Sequence, residues 1–306
     1  MRTLEFRIPT EYNGRKVLHY LRGAAGLSSR LIRCLKNHDN GMLLNGEHTR
    51  TVDIIHTGDT ITVNIPEDDV DMSIAEIDGV LTENGDSGFT SLEDYGVEIL
   101  YEDEDVIAVN KPAMLAIHPS HNHQGDTLAN LMAAYLKSKN KRSTFRAVGR
   151  LDKGTSGIVI CALNAFAANK LQGHIEKTYY AVPGGRYEGS GKIEKPIYRP
   201  DPIKTYRTVD ERGDYALTRW TALKSSDNAS LLRVNLETGR THQIRVHFAS
   251  LGTPLIGDTM YGTPSTEISH QALHCGGTEF IQPYTGERIS VTSEIPEDMQ
   301  SIIDKI

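Results

Sequence analysis

Four stretches of the chain carry residues whose types and spacing could do chemistry. GRLDKGTSG (149–157) places a carboxylate, Asp152, two residues after Arg150 and then enters a small, turn-prone run before the apolar segment IVICAL. An acid on a loop that feeds a buried strand can be nucleophile, base or metal ligand, and it can equally cap a turn. EKTYYAVPGG presents Tyr179 and Tyr180 in succession. On a strand they point to opposite faces, so one can line a site while the other packs. ETGRTHQIRVHFASLG gathers Arg240, His242, Arg245 and His247 into a turn followed by a helix; with the helix starting near Thr241, Arg245 lies one turn in and shares its face. His118, His121 and His123 are close neighbours, but they share a loop with Pro119 and lack helical or hairpin spacing and a carboxylate partner, so a pocket wall is expected there and no metal.

The elements that must position these residues are mostly strands. VEILYE and VIAVNK flank an acidic turn, IVICAL is apolar throughout, and YALTRWTAL, ASLLRVNLET and HQALHCGGTEFIQP add three more strand segments. The predicted helices are fewer: one from about Thr127, NAFAANKLQGHI, the segment bearing Arg245, and PEDMQSIIDKI at the end. Strands outnumber helices and cluster together, which predicts an α+β fold with a large, mostly antiparallel mixed sheet over residues 96–306. Residues 1–67 read as a small α/β module: a strand, helices over Val17–Leu27 and Ser29–Lys36 with Ser28 or Ser29 as cap, then strands in MLLNG and TITVNI. Between them, 68–95 is an acidic, Gly- and Ser-containing linker.

Composition narrows the function classes. The chain has 306 residues and a formal net charge of -7, yet fourteen of its 40 acidic residues fall between Asp68 and Asp105, a stretch without Lys or Arg. The remainder carries 33 basic against 26 acidic residues, which permits a nucleic-acid partner. The N-terminus has no apolar signal-like region and no apolar run reaches membrane-spanning length, so a cytoplasmic protein without a membrane partner is expected. Cys34, Cys161 and Cys275 are far apart and lack a CxxC pairing, so they read as buried thiols. No GxGxxG, Walker A, HExxH or GxSxG pattern is present, which removes the main warrants for dinucleotide, nucleoside triphosphate, zinc-protease and serine-hydrolase chemistry.

GRLDKGTSG, EKTYYAVPGG and TGRTHQIRVHFASLGTPLIGDTMYG, in that order, together with NKPAMLAIHP and HQALHCGGTEF, resemble the RluA-type family of RNA pseudouridine synthases over about the last two-thirds of the chain. The N-terminal pattern resembles the S-four-like RNA-binding module, named after a small-subunit ribosomal protein, whose second helix faces RNA; this implies that Arg30, Arg33 and Lys36 contact RNA. For the rest, the resemblance implies the pseudouridine synthase fold, Asp152, Tyr179 and Arg245 as catalytic residues, and Arg150 as a residue that helps hold the substrate base out of the stack, with Arg240 and His242 beside the substrate. It implies an isomerase that needs no cofactor, acting on structured RNA, with large-subunit ribosomal RNA first and transfer RNA as the alternative. A monomer without an obligate protein partner is expected. Two positions depart from the family pattern: Gly149, where His is usual, and Met114, where Gly is usual, the latter suggesting a differently shaped NKP loop.

The implied chemistry breaks the bond from uracil to ribose, turns the uracil, joins its carbon 5 to the sugar and removes a proton from that carbon. Asp152 must be ionised to act on the ribose, by attacking the anomeric carbon or by taking a ribose proton. Arg245 would favour the carboxylate and orient it bidentately. Tyr179 offers an aromatic face for the uracil and a phenol oxygen as a base. The competing readings are a non-catalytic RNA-binding or ribosome-assembly protein on the same fold, and a histidine-ligated metallohydrolase.

Overall fold

The computed structural model describes residues 2–66, 91–120, 125–139, 141 and 144–306. In the N-terminal part, β1 (Arg2–Arg7) precedes α1 (Val17–Arg22) and α2 (Ser29–Leu35), and β2 (Met42–Leu44), β3 (Glu47–His48) and β4 (Thr60–Ile65) follow. The helix expected to run to Leu27 stops at Arg22, before Gly23 breaks it. Ser28 is the cap of α2, its hydroxyl accepting from Leu31 N at 3.2 Å. Ile61, Val63 and Ile65 alternate inward on β4, the period-2 pattern of a half-buried strand. These strands form a sheet in the order β1-β4-β2-β3.

The larger part begins within the acidic stretch, since Leu92 is already buried in its core. Its elements are β5 (Glu98–Glu102), β6 (Val106–Lys111), α3 (Leu128–Ser138), β7 (Arg146–Val148), β8 (Ser156–Ala162), α4 (Ala165–Leu171), β9 (Ile175–Ala181), β10 (Ser190–Glu194), β11 (Leu217–Ser225), β12 (Ser230–Leu236), α5 (Gln243–Ala249), β13 (Leu273–Ile281), β14 (Arg288–Thr292) and α6 (Glu297–Ile303). Thr127 caps α3 and Asn164 caps α4, its side-chain oxygen accepting from the third helical amide, Ala167 N, at 2.9 Å.

Ten strands make one sheet, β10-β11-β12-β9-β13-β8-β6-β5, with β14 paired to β13 and β7 to β8. Every pairing is antiparallel except β8 with β13, which run parallel where Ser156 and Gly157 face His274 and Cys275. β8 is buried at every position because it lies in the middle of the sheet with both faces covered, which is why SGIVICA is apolar without alternation. Among the described residues no helix is long and apolar enough to cross a membrane.

The two parts touch through specific contacts. Arg2 forks onto the fully buried Asp105, Nε to Oδ1 at 3.0 Å and Nη2 to Oδ2 at 2.9 Å. Phe166 of α4 is buried inside the N-terminal apolar cluster, and the Tyr284 hydroxyl donates to Glu5 O at 3.0 Å. The small module thus rests on α4, whose C-terminal residue Leu171 lines the pocket described next.

Candidate active site

The turn that carries Asp152 is anchored from below. Thr155 N donates to Asp152 O at 3.0 Å, closing the turn, and Gln271 Nε2 donates to Thr155 Oγ1 at 3.0 Å from the strand side. Lys111, fully buried at the end of β6, donates to Pro112 O (2.9 Å), Leu115 O (2.9 Å) and Lys153 O (3.1 Å), tying the NKP loop to the residue after Asp152. Burial lowers the Lys111 pKa to about 7, against the pull of Asp152's charge. Three carbonyls in reach use three N–H bonds, which only the ammonium form offers. Where the turn enters β8, Gly157 has φ +109°, and a Cβ there would lie 2.3 Å from Cys275 O, so the chain passes over β13 at a separation that only glycine permits.

Arg245 reaches the same point from the first turn of α5. Its Nη1 donates to Asp152 Oδ2 at 3.0 Å, while Nε and Nη2 grip Asp258 Oδ2 and Oδ1 at 2.7 and 2.8 Å. The bidentate partner is therefore Asp258, and Asp152 receives a single bond, contrary to the expectation of a two-bond clamp on Asp152. Asp258 is fully buried in the loop after α5 and also accepts from Met260 N and Tyr261 N. Burial works against the guanidinium charge, but Asp258 and then Asp152 outweigh it and hold Arg245 above its ordinary pKa. Helix α5 itself starts at Gln243, two residues later than expected, because His242 caps it with a left-handed φ of 58°.

That backbone turns His242 into the site. Nδ1 lies 2.8 Å from Tyr261 Oη, and Nε2 lies 3.9 Å from Asp152 Oδ2. Burial lowers the His242 pKa despite the nearby Asp152, so the ring is neutral at neutral pH. Tyr261 Oη also accepts from Arg207 N at 2.9 Å, and its ring lies 5.1 Å from the Arg245 guanidinium and stacks on Tyr206. Asp152 keeps about 20% of its side chain exposed, and among the described residues its Oδ1 accepts no hydrogen bond.

Tyr179 closes the inner wall. On β9 the pairing with β13 jumps from Gly277 opposite Thr178 to Cys275 opposite Tyr179, a bulge on β13 that re-aims this part of the sheet. Tyr179 is buried and lines the pocket with Ile175 and Lys177 from the same strand face, whereas Tyr180 packs with the C-terminal helix cluster. Burial first, then the neighbouring Cys275 and Asp152, raise the Tyr179 phenol well above its ordinary pKa, so it is neutral.

These groups line one pocket of about 570 Å³ that contains Asp152, Tyr179, Arg245, Arg150, Arg240 and His242. Arg150 is exposed at the rim. Arg240 turns its Nε to Tyr215 O (3.0 Å) and pairs with Asp214 at the surface, leaving it at the edge rather than at Asp152. Arg30, Arg33 and Lys36 are exposed on α2 and its C-cap, outside the pocket. His118 meets Phe145 edge-on at 5.9 Å, while His121 and His123 lie outside the described residues. No group of three or more metal-ligating side chains occurs among the described residues. Met114 takes φ +66°, the left-handed conformation glycine adopts freely, so the NKP loop meets this departure with strain at one residue.

Sequence reasoning overlooked Asp258, Tyr261, Lys111 and Lys177. For Lys177 a signal was present, because it precedes Tyr179 by two on a strand and must share its face. Asp258 stood in the quoted GDTMYG, but nothing local distinguishes a buried clamp from a turn aspartate.

Residues 105–250 match the family model described as RNA pseudouridylate synthase. The chain is 35% identical over 288 residues to the uncharacterized RNA pseudouridine synthase YjbO of Bacillus subtilis, covering 92% of this chain and 96% of that one. It is 31% identical over 289 residues to the ribosomal large subunit pseudouridine synthase D of Pseudomonas aeruginosa, covering 88% and 84%. Among solved structures, human RNA pseudouridylate synthase domain containing 1 superposes with a TM-score of 0.54 at 25% identity, over 65% of this chain and 83% of that one.

Proposed function

Because the chain belongs to the RNA pseudouridine synthase family, and is thus an isomerase acting on RNA, we propose that Asp152 acts on the ribose of a uridine flipped into this pocket, in structured cytoplasmic RNA. The observation that carries this reading is the Asp152 carboxylate itself. One oxygen is held by Arg245 at 3.0 Å and the other accepts no hydrogen bond among the described residues, on a side chain that lines the pocket, so the acid is oriented without being consumed by its partner. Arg245 is held in turn by Asp258, which fixes the guanidinium that orients Asp152.

The target base leaves its stack at a cost of a few kcal/mol, lowest in loops and bulges. Arg150, exposed at the rim, fills the vacated space with its guanidinium plane. Inside, Tyr179 serves as the aromatic wall for the uracil. Its neutral phenol argues for this role over that of a phenolate base. Breaking the glycosidic bond frees the uracil to turn, carbon 5 joins the sugar, and the proton on carbon 5 leaves last. The exposed Arg30, Arg33 and Lys36 hold RNA phosphates outside the pocket. The relative from Pseudomonas aeruginosa supports large-subunit ribosomal RNA as the substrate class.

Transcriptome-wide pseudouridine mapping tests the reading in cells lacking the gene and restored with wild type or Asp152→Asn. One or more uridines should lose modification in the deletion and regain it with wild type alone. Restoration by Asp152→Asn would overturn the role given to this carboxylate, and an unchanged map in the deletion would overturn the activity.

A further inference from the structure

Lys177 stands out in the pocket wall. Its Nζ is buried and is the one buried side-chain nitrogen or oxygen among the described residues without a hydrogen-bond partner. A desolvated ammonium without a partner destabilises a fold, and such groups are normally paired. The neighbouring thiols of Cys161 and Cys275 do not neutralise it, because burial raises both above their ordinary pKa. Lys177 lies two residues before Tyr179 on β9, on the same pocket-facing side, about 7 Å along the strand. A Cβ at Gly149 would come within 3.2 Å of Nζ, so the glycine at this position, with its φ of +77°, leaves the ammonium uncrowded on the side of the turn that carries Asp152.

We propose that Lys177 is a catalytic residue that receives a carbonyl oxygen of the detached uracil and holds its negative charge while the ring turns. The inference rests on the synthase reading above. When the bond between C1′ and N1 breaks, its electron pair stays with the uracil, which becomes an anion with charge shared among N1, O2 and O4. The electron deficit left on the sugar is met by Asp152, through a new bond to C1′ or by removal of a ribose proton. When carbon 5 then bonds to C1′, the Asp152–C1′ bond breaks and frees the carboxylate, or Asp152 returns the ribose proton to the sugar; carbon 5 gives up its proton, N1 gains one, and the charge on the ring is gone. An anion therefore exists only between the two bond changes, in a pocket walled by the neutral phenol of Tyr179. An unpaired ammonium two residues along the same strand face is placed for that interval, and this is electrostatic stabilisation of charge that the ground state lacks. An RNA phosphate is the poorer partner, since Nζ is buried whereas the backbone must run along the rim with Arg150.

The test uses the full-length protein and a transcript spanning a uridine found by the mapping experiment, made with uridine or with 5-fluorouridine at the target. Fluorine stabilises the uracil anion, so it should substitute for part of what Lys177 does. Lys177→Met should lower the single-turnover loss of the target uridine about 100-fold. With 5-fluorouridine the loss should be reduced about tenfold or less, RNA affinity should stay within about twofold, and the melting temperature should rise because an unpaired buried charge is gone. A wild-type rate in Lys177→Met overturns the proposal. So does an equal loss on both transcripts with a lowered melting temperature, which marks a structural role. A loss confined to RNA affinity, with the salt dependence flattened by about one phosphate contact, assigns Lys177 to the backbone and also overturns it. Failure of wild type to convert the transcript, with Asp152→Asn equally inert, would count against the synthase reading instead.

Discussion

Asp258→Asn isolates the clamp on Arg245. The side chain keeps its shape and can still accept one N–H from the guanidinium, but it loses the charge and the second acceptor that make the present pair bidentate at 2.7 and 2.8 Å. Removing one partner of a buried charged pair typically costs about 3–5 kcal/mol. Here Asp152 stays 3.0 Å from Nη1 and continues to compensate the cation, so the expected loss is smaller, about 2–3 kcal/mol. For a chain of this length that is a fall in melting temperature of about 3–5 °C. The catalytic consequence follows from geometry. Freed from Asp258, Arg245 turns its fork toward the remaining carboxylate and draws Asp152 away from the ribose, and misplacement of about 1 Å can cost about 100-fold in rate. Thermal unfolding and single-turnover pseudouridine formation on the mapped transcript measure the two effects. The expected result is a rate 10- to 100-fold below wild type with RNA affinity retained. A variant that melts and reacts like wild type would show that Asp258 does not position Arg245.

Two further outcomes can be measured without knowing the target uridine. Joint replacement of Arg30, Arg33 and Lys36 by Gln should weaken binding to structured RNA and flatten the slope of log affinity against log salt by about 2–3, with the melting temperature unchanged because all three are exposed; an unaltered slope would remove α2 from the RNA surface. Burial lowers the pKa values of His118, His242, His247 and His274 below 6.5, so the unfolded chain binds more protons than the folded one below that pH. Their contribution is complete above about pH 6.5 and is lost as pH falls through the depressed values, so the melting temperature should drop from pH 6.5 to 5; a flat or rising profile would refute these assignments.

Much of the fold was legible because it depends on local period and caps. The continuous apolar run of β8, the strand in TITVNI, the Ser28 cap and the two-face argument for Tyr179 and Tyr180 follow from short-range geometry that a chain carries anywhere. Asp152, Tyr179 and Arg245 were identified through motif order, and the fold brings all three to one pocket. Element ends were less legible: α1 stops at Arg22 and α5 starts at Gln243, because a glycine and a left-handed histidine settle those boundaries.

What the chain could not declare by itself is the partner of each charge. Arg245 lies thirteen residues from Asp258 and 93 from Asp152 along the chain, and which carboxylate receives the fork depends on how α5 and the following loop pack against the turn. The same holds for Lys111, whose three carbonyl acceptors come from two different loops, and for Lys177, whose lack of a partner is a property of the folded surroundings. Sequence determines residue type, period and turn chemistry, which act over a few residues. Burial and pairing act over a few ångströms between segments far apart in the chain, so only the tertiary structure decided that Asp152 keeps one oxygen free and that Lys177 faces the pocket unpaired.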